Sequence, residues 1–190
     1  FRCHFPVPTV IVGALDTSQV FDYALTANEH PEKYGPVIAL DSIESCFDAA
    51  KIQQRRIQRE KISIRQSFSK SKRTRSGANL FYGVRFYLIC WARFAKLARF
   101  IRQETRFPKT GLVFRRFKGD LDARINARDH LEHFEERLPG GKNHSKLAVP
   151  SDLVNMANQH LTYGGRRVDI GPDNMRLMKT IHYEFIDAVL

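Results

Sequence analysis

The sequence describes a mainly α-helical bundle: two long antiparallel helices at its centre, with a small C-terminal β-hairpin and a terminal helix attached. Two patterns carry this. Apolar residues recur in steps of four and three through Leu80, Val84, Tyr87, Trp91, Phe94, Ala98 and Ile101, which lays one continuous stripe along a helix. A second series, Phe114, Phe117, Leu121, Ile125, Leu131, Phe134 and Leu138, begins just beyond the break at Phe107-Pro108.

Residues 1–15 hold Pro6, Pro8 and the β-branched run Thr9-Val10-Ile11-Val12 before Gly13, the composition of an extended arm. Residues 16–190 then form a single helical domain. Asp16 or Thr17 caps a first helix that reaches about Asn28, and the His30-Pro31 step stops it. Between Pro36 and about Arg65, the residues Ile38, Leu40, Ile43, Phe47, Ala50 and Ile52 recur at helical spacing, with Asp41 or Ser42 as a cap.

The next stretch, residues 66–78, is serine-rich, poor in apolar side chains and crowded with like charge, which predicts a mobile basic loop. The two long helices follow, at about 79–105 and 111–138, and Pro139-Gly140-Gly141 ends the second. Leu161-Thr162-Tyr163 and Arg167-Val168-Asp169-Ile170 flank Gly164-Gly165-Arg166, as in a β-hairpin with a glycine turn. Gly171-Pro172-Asp173 then opens a last helix that buries Met178, Ile181, Phe185 and Val189.

With 190 residues and 43% hydrophobic content, the chain is long enough to build one real core. Three widely spaced cysteines, Cys3, Cys46 and Cys90, lack both the pairing of a zinc site and the density of a disulfide framework, so a reducing, cytoplasmic setting is expected. The apolar run from Leu80 to Trp91 is too short to span a bilayer and is broken by Arg85, so no membrane span is expected.

The formal charge of +11 points to a polyanionic partner, nucleic acid or anionic lipid. Most of it is concentrated: residues 51–75 carry ten lysines and arginines against one acid, Glu60. Within that window Arg55, Arg56, Arg59, Lys70, Lys72, Arg73 and Arg75 are the candidate nucleic-acid contacts. Such contacts would be sensitive to salt and indifferent to sequence. A solvated charged face is the plainer alternative.

A second cluster lies in the second long helix, where Ala127-Arg128-Asp129-His130-Leu131-Glu132-His133-Phe134-Glu135-Glu136-Arg137 packs cations, carboxylates and two imidazoles into three turns. At about 100° per residue, Glu132, Asp129 and His133 fall at roughly 40°, 100° and 140° from Arg128, so all four share one arc. Leu121 and Ile125 also fall near Arg128, which puts the guanidinium in the apolar stripe, where it needs a partner. An ion pair with Asp129, Glu132 or a neighbouring helix would supply one. His130 and His133, one turn apart near Glu132 and Glu136, have metal-ligand chemistry, but on a surface helix the arrangement is incidental and no metal or other cofactor is expected.

The order Arg128, Asp129, then His133 resembles the Arg-to-His motif of the HEPN superfamily of helical-bundle proteins. Three other Arg-to-His spacings fit, from Arg124, Arg137 and Arg176, but only Arg128 is followed by the polar residue the motif carries. The resemblance implies a metal-independent endoribonuclease of toxin or defence type, a homodimer whose motif helices frame a composite RNA site. Arg128, Asp129 and His133 would then be catalytic. His133 would move a proton at the ribose 2′-hydroxyl or the leaving oxygen, and Arg128 would hold the scissile phosphate. A non-catalytic nucleic-acid-binding module and a module docking an acidic protein partner are the alternatives.

Overall fold

The structure, a computed structural model, describes residues 31–105, 107–133, 159–163 and 166–189. The expected arm at 1–15 and the helix near 16–28 lie outside these residues. So do residues 134–158 and the turn glycines 164–165. Four helices and one hairpin make up the described fold: α1 (Pro31–Gln66), α2 (Lys70–Ile101), α3 (Thr110–Glu132), β1 (His160–Tyr163), β2 (Arg166–Asp169) and α4 (Pro172–Val189).

The first two helices form a long antiparallel hairpin. On α1 the buried positions Ile43, Phe47, Ala50, Gln54, Ile57 and Lys61 step by four and three. On α2 the predicted stripe from Leu80 to Ile101 is buried at every position. Two such seams interlock as in a coiled coil. Their register is visible in Ser63 and Ser76, whose hydroxyls share a 2.9 Å hydrogen bond, and in Asn79, whose amide donates to Glu60 Oε1 at 3.3 Å.

The basic segment is not a loop. Only Ser67, Phe68 and Ser69 separate the helices, and α2 is already helical from Lys70. Ser69 caps it by accepting from the Lys72 backbone N–H, and Ser76 is buried against α1. Composition alone argued for disorder, but a cap at one end and a packed partner helix override the like charge. The helix expected from Pro36 likewise begins earlier, at Pro31, where a proline suits the first position because its missing N–H has no intrahelical acceptor.

Antiparallel to α2, α3 returns along its other side. Thr110 Oγ1 donates to Phe107 O at 2.7 Å across the connection, and the Arg102 guanidinium lies 4.4 Å from the Phe114 ring centre. Trp91, Tyr87, Phe94 and Phe114 are fully buried where the helices meet. Each contributes on the order of 2 kcal/mol by leaving water. The described helix ends at Glu132, where His133 takes φ −104° and ψ 29°, and the rest of the predicted span to 138 lies outside the described residues.

The hairpin pairs His160 with Asp169 and Leu161 with Val168, and buries Leu161, Val168 and Ile170 against the bundle. Asp169 then accepts from the Gly171 backbone N–H at 2.7 Å, at the entry to α4. That helix is tied to α3 by Arg116 and Glu184, 2.9 Å apart, and to α1 by the stacking of His182 on Phe47 at 4.5 Å between ring centres. No described helix is long and apolar enough to cross a membrane.

Candidate nucleic-acid interface

The seam of the α1–α2 hairpin fixes what its outer surface displays. With Ile57, Leu80, Val84 and Tyr87 turned inward, Arg56 and Arg59 of α1 project on the same side as Tyr82 and Phe86 of α2. Together with Gln53, Glu60, Asn79 and Gly83 they line a groove of about 380 Å³ between the helices. Gly83 forms part of its wall, and a Cβ there would come within 3.2 Å of the buried Ile57 Cγ1. The packing of Ile57 against α2 thus favours glycine at this position.

Tyr82 and Phe86, one turn apart on α2, are 54% and 52% exposed, whereas Tyr87, Trp91 and Phe94 of the same helix are buried. Glu60 is the one acid in the groove, and it is engaged by Asn79. Neither Arg56 nor Arg59 makes an ion pair with a described residue, so the groove carries an excess of uncompensated positive charge.

Beyond the groove the hairpin narrows to its tip, where Phe68 is fully exposed. Lys70, Lys72, Arg73 and Arg75 surround the start of α2, all exposed. No acid occupies the first turn of this helix. A helix N-terminus carries partial positive charge and is stabilised by acids, so Lys70, Lys72 and Arg73 in the first turn cost stability. The start of α2 thus presents a cationic surface that local helix stability does not call for. Arg55 is exposed on α1 but stands outside the groove.

Sequence reasoning named these cations, which the structure leaves exposed, and did not name the exposed aromatic pair. The signal was present: Tyr82 and Phe86 fall between the buried positions of the α2 stripe.

A second depression of about 450 Å³ lies between α1, the hairpin and the start of α4. Arg65 and Arg167 are balanced there by Asp169 and Asp173, so it presents no comparable field. Beside it Lys61 is only 3% exposed, and its ammonium finds no hydrogen-bond partner among the described residues. Burial pushes its pKa down to about 8, partly offset by the Asp169 carboxylate.

Of the three predicted catalytic residues, Arg128 and Asp129 are brought together. Arg128 Nη1 lies between the carboxylates of Glu132 and Asp129, the latter at 2.8 Å. The arginine side chain keeps 20% of its surface exposed. His133 stands exposed at the end of α3, its backbone N–H donating to Asp129 O at 3.1 Å. His130, by contrast, is buried in the core and is no surface ligand. A phosphate approaching Arg128 must displace or share two carboxylates, whereas one approaching Arg56 or Arg59 meets no such competitor among the described residues.

Burial raises the thiol pKa of Cys46 and Cys90, the latter to about 11, so neither is a thiolate at neutral pH. Among the described residues no group of His, Cys, Asp or Glu is arranged to hold a metal ion. The chain matches no protein-family model, no curated protein and no solved structure.

Proposed function

We propose that this protein binds RNA along the outer face of the α1–α2 hairpin, with Arg56 and Arg59 in the groove and Lys70, Lys72, Arg73 and Arg75 at the tip holding the phosphate backbone. One observation carries this reading: a row of exposed cations with no ion pair to a described acid, part of it placed at a helix N-terminus where it works against stability. Arg55 extends the same field without entering the groove. An RNA partner goes with a cytoplasmic location.

The test is a binding titration of labelled RNA against the wild type and a variant in which Arg56, Arg59, Lys72 and Arg73 are replaced by glutamine. Loss of binding by the variant, with helicity retained and the thermal midpoint unchanged or slightly raised, is the expected result. Unchanged affinity would remove the proposal. Strong binding of an acidic protein with no affinity for RNA would replace it with the protein-docking alternative.

The metal-independent endoribonuclease is a second reading, favoured by the Arg128-Asp129-His133 motif and by the exposure that Arg128 and His133 retain at the end of α3. It requires a homodimer whose paired helices supply a shared site, and RNA that displaces the two carboxylates from Arg128. Cleavage in the presence of a chelator, lost in His133→Ala and Arg128→Ala, is its expected outcome. Equal turnover by all three proteins would eliminate it.

A further inference from the structure

We infer that the groove selects single-stranded RNA, with unpaired bases stacking on Tyr82 and Phe86 while Arg56 and Arg59 take the adjoining phosphates. This rests on the RNA-binding reading and names the form of RNA that fits it. Phosphate contacts alone do not distinguish a duplex from a strand. Aromatic faces do, because the π-faces of paired bases are already covered by their neighbours in the duplex, whereas an unpaired base offers its own.

The geometry suits that use. Tyr82 and Phe86 are four residues apart on α2, so they lie about 6 Å apart along the helix axis and can serve successive nucleotides. Gly83 lies between them in the chain, and Gln53 and Asn79 complete the lining, the Asn79 amide being held by Glu60. Both rings sit outside the buried seam with about half their surface open to solvent, Tyr82 lying edge-on to Phe81 at 5.9 Å between ring centres. The match of a cationic, aromatic-lined groove to an anionic strand of flat bases is one of charge and shape together.

The measurement is fluorescence anisotropy with two probes, a short unstructured RNA strand and a duplex of the same length. The proteins are the wild type, Tyr82→Ala, Phe86→Ala and the conservative variants Tyr82→Phe and Phe86→Tyr. Each alanine variant should bind the strand about tenfold or more weakly and the duplex almost unchanged, while the conservative variants retain wild-type affinity. Equal losses on strand and duplex, or no loss on either, would overturn the inference and leave the charge-based reading standing. Alanine variants that change the solution mass instead of the affinity would assign the aromatic pair to contact with a second copy, which also overturns it. Failure of the wild type to bind either probe would sink the RNA reading itself.

Discussion

Arg124 of α3 places its guanidinium 5.2 Å from the ring centre of Trp91 on α2, and from there donates to Asn174 on α4 at 3.1 Å and to Asp120 at 2.8 Å. One side chain thereby joins three helices at the middle of the bundle. A flat, forked cation is required for stacking and bonding at once. Arg124→Lys should therefore lower stability by about 1–2 kcal/mol, despite keeping the charge. Urea unfolding checks this, and a variant as stable as the wild type would show that the fork is dispensable.

Glycines in the long helices should divide by what a methyl group would meet. Gly77 of α2 and Gly119 of α3 have nothing within 4 Å of a built Cβ, so Gly77→Ala and Gly119→Ala should each stabilise the protein by about 0.5–1 kcal/mol through helix propensity. At Gly83 the same change meets Ile57, which is fully buried and has little room to shift. Overpacking there should outweigh the gain, and Gly83→Ala should be destabilising by about 1 kcal/mol. The three midpoints can be compared in one denaturation series.

Lys61 should give the protein an unusual rise in stability on the alkaline side. With a folded pKa of about 8 against an ordinary 10.5, both states hold the proton below pH 8. Between those values the unfolded chain keeps the proton and the folded one releases it, so stability climbs with pH across that window. Lys61→Met should remove the climb and raise stability at neutral pH by on the order of 2 kcal/mol, since it takes an unpartnered charge out of the seam. A variant with the same pH slope as the wild type would contradict this account.

His182 should contribute a loss on the acid side. Its burial against Phe47 lowers its pKa below 6.5, with Glu44 and Asp48 opposing that shift and Lys51 reinforcing it. The unfolded chain therefore takes up a proton that the folded one resists, so this stability is present above pH 6.5 and declines as the pH falls through and below it. His182→Gln should flatten the decline, as read from unfolding midpoints on either side of pH 6.5.

The parts of this fold that were legible in the sequence are those set by local periodicity. The stripe from Leu80 to Ile101 marked a helix whose inner face needed no tertiary information, and Gly171-Pro172-Asp173 marked the start of α4 by proline placement alone. Residues 70–77 were not legible, because their helicity depends on Ser69 as cap and on α1 as partner. Arg128 was correctly placed near Asp129 and Glu132, since the pattern of one helix brings these side chains to a common arc without help from any other element. The groove was out of reach: Arg56 and Tyr82 are far apart in the chain, and their meeting is decided by the register of two helices that no local pattern states.

The central claim, that exposed cations of the hairpin hold an RNA backbone, is tested most directly by the salt dependence of binding. Plotted as log affinity against log salt concentration, the wild type should fall with a steep slope. Replacing Lys70, Lys72, Arg73 and Arg75 by glutamine should reduce that slope by about 0.7 for each phosphate of a single strand that the variant no longer neutralises. A wild-type affinity that does not change with salt, or a slope that survives the four replacements intact, would contradict the account.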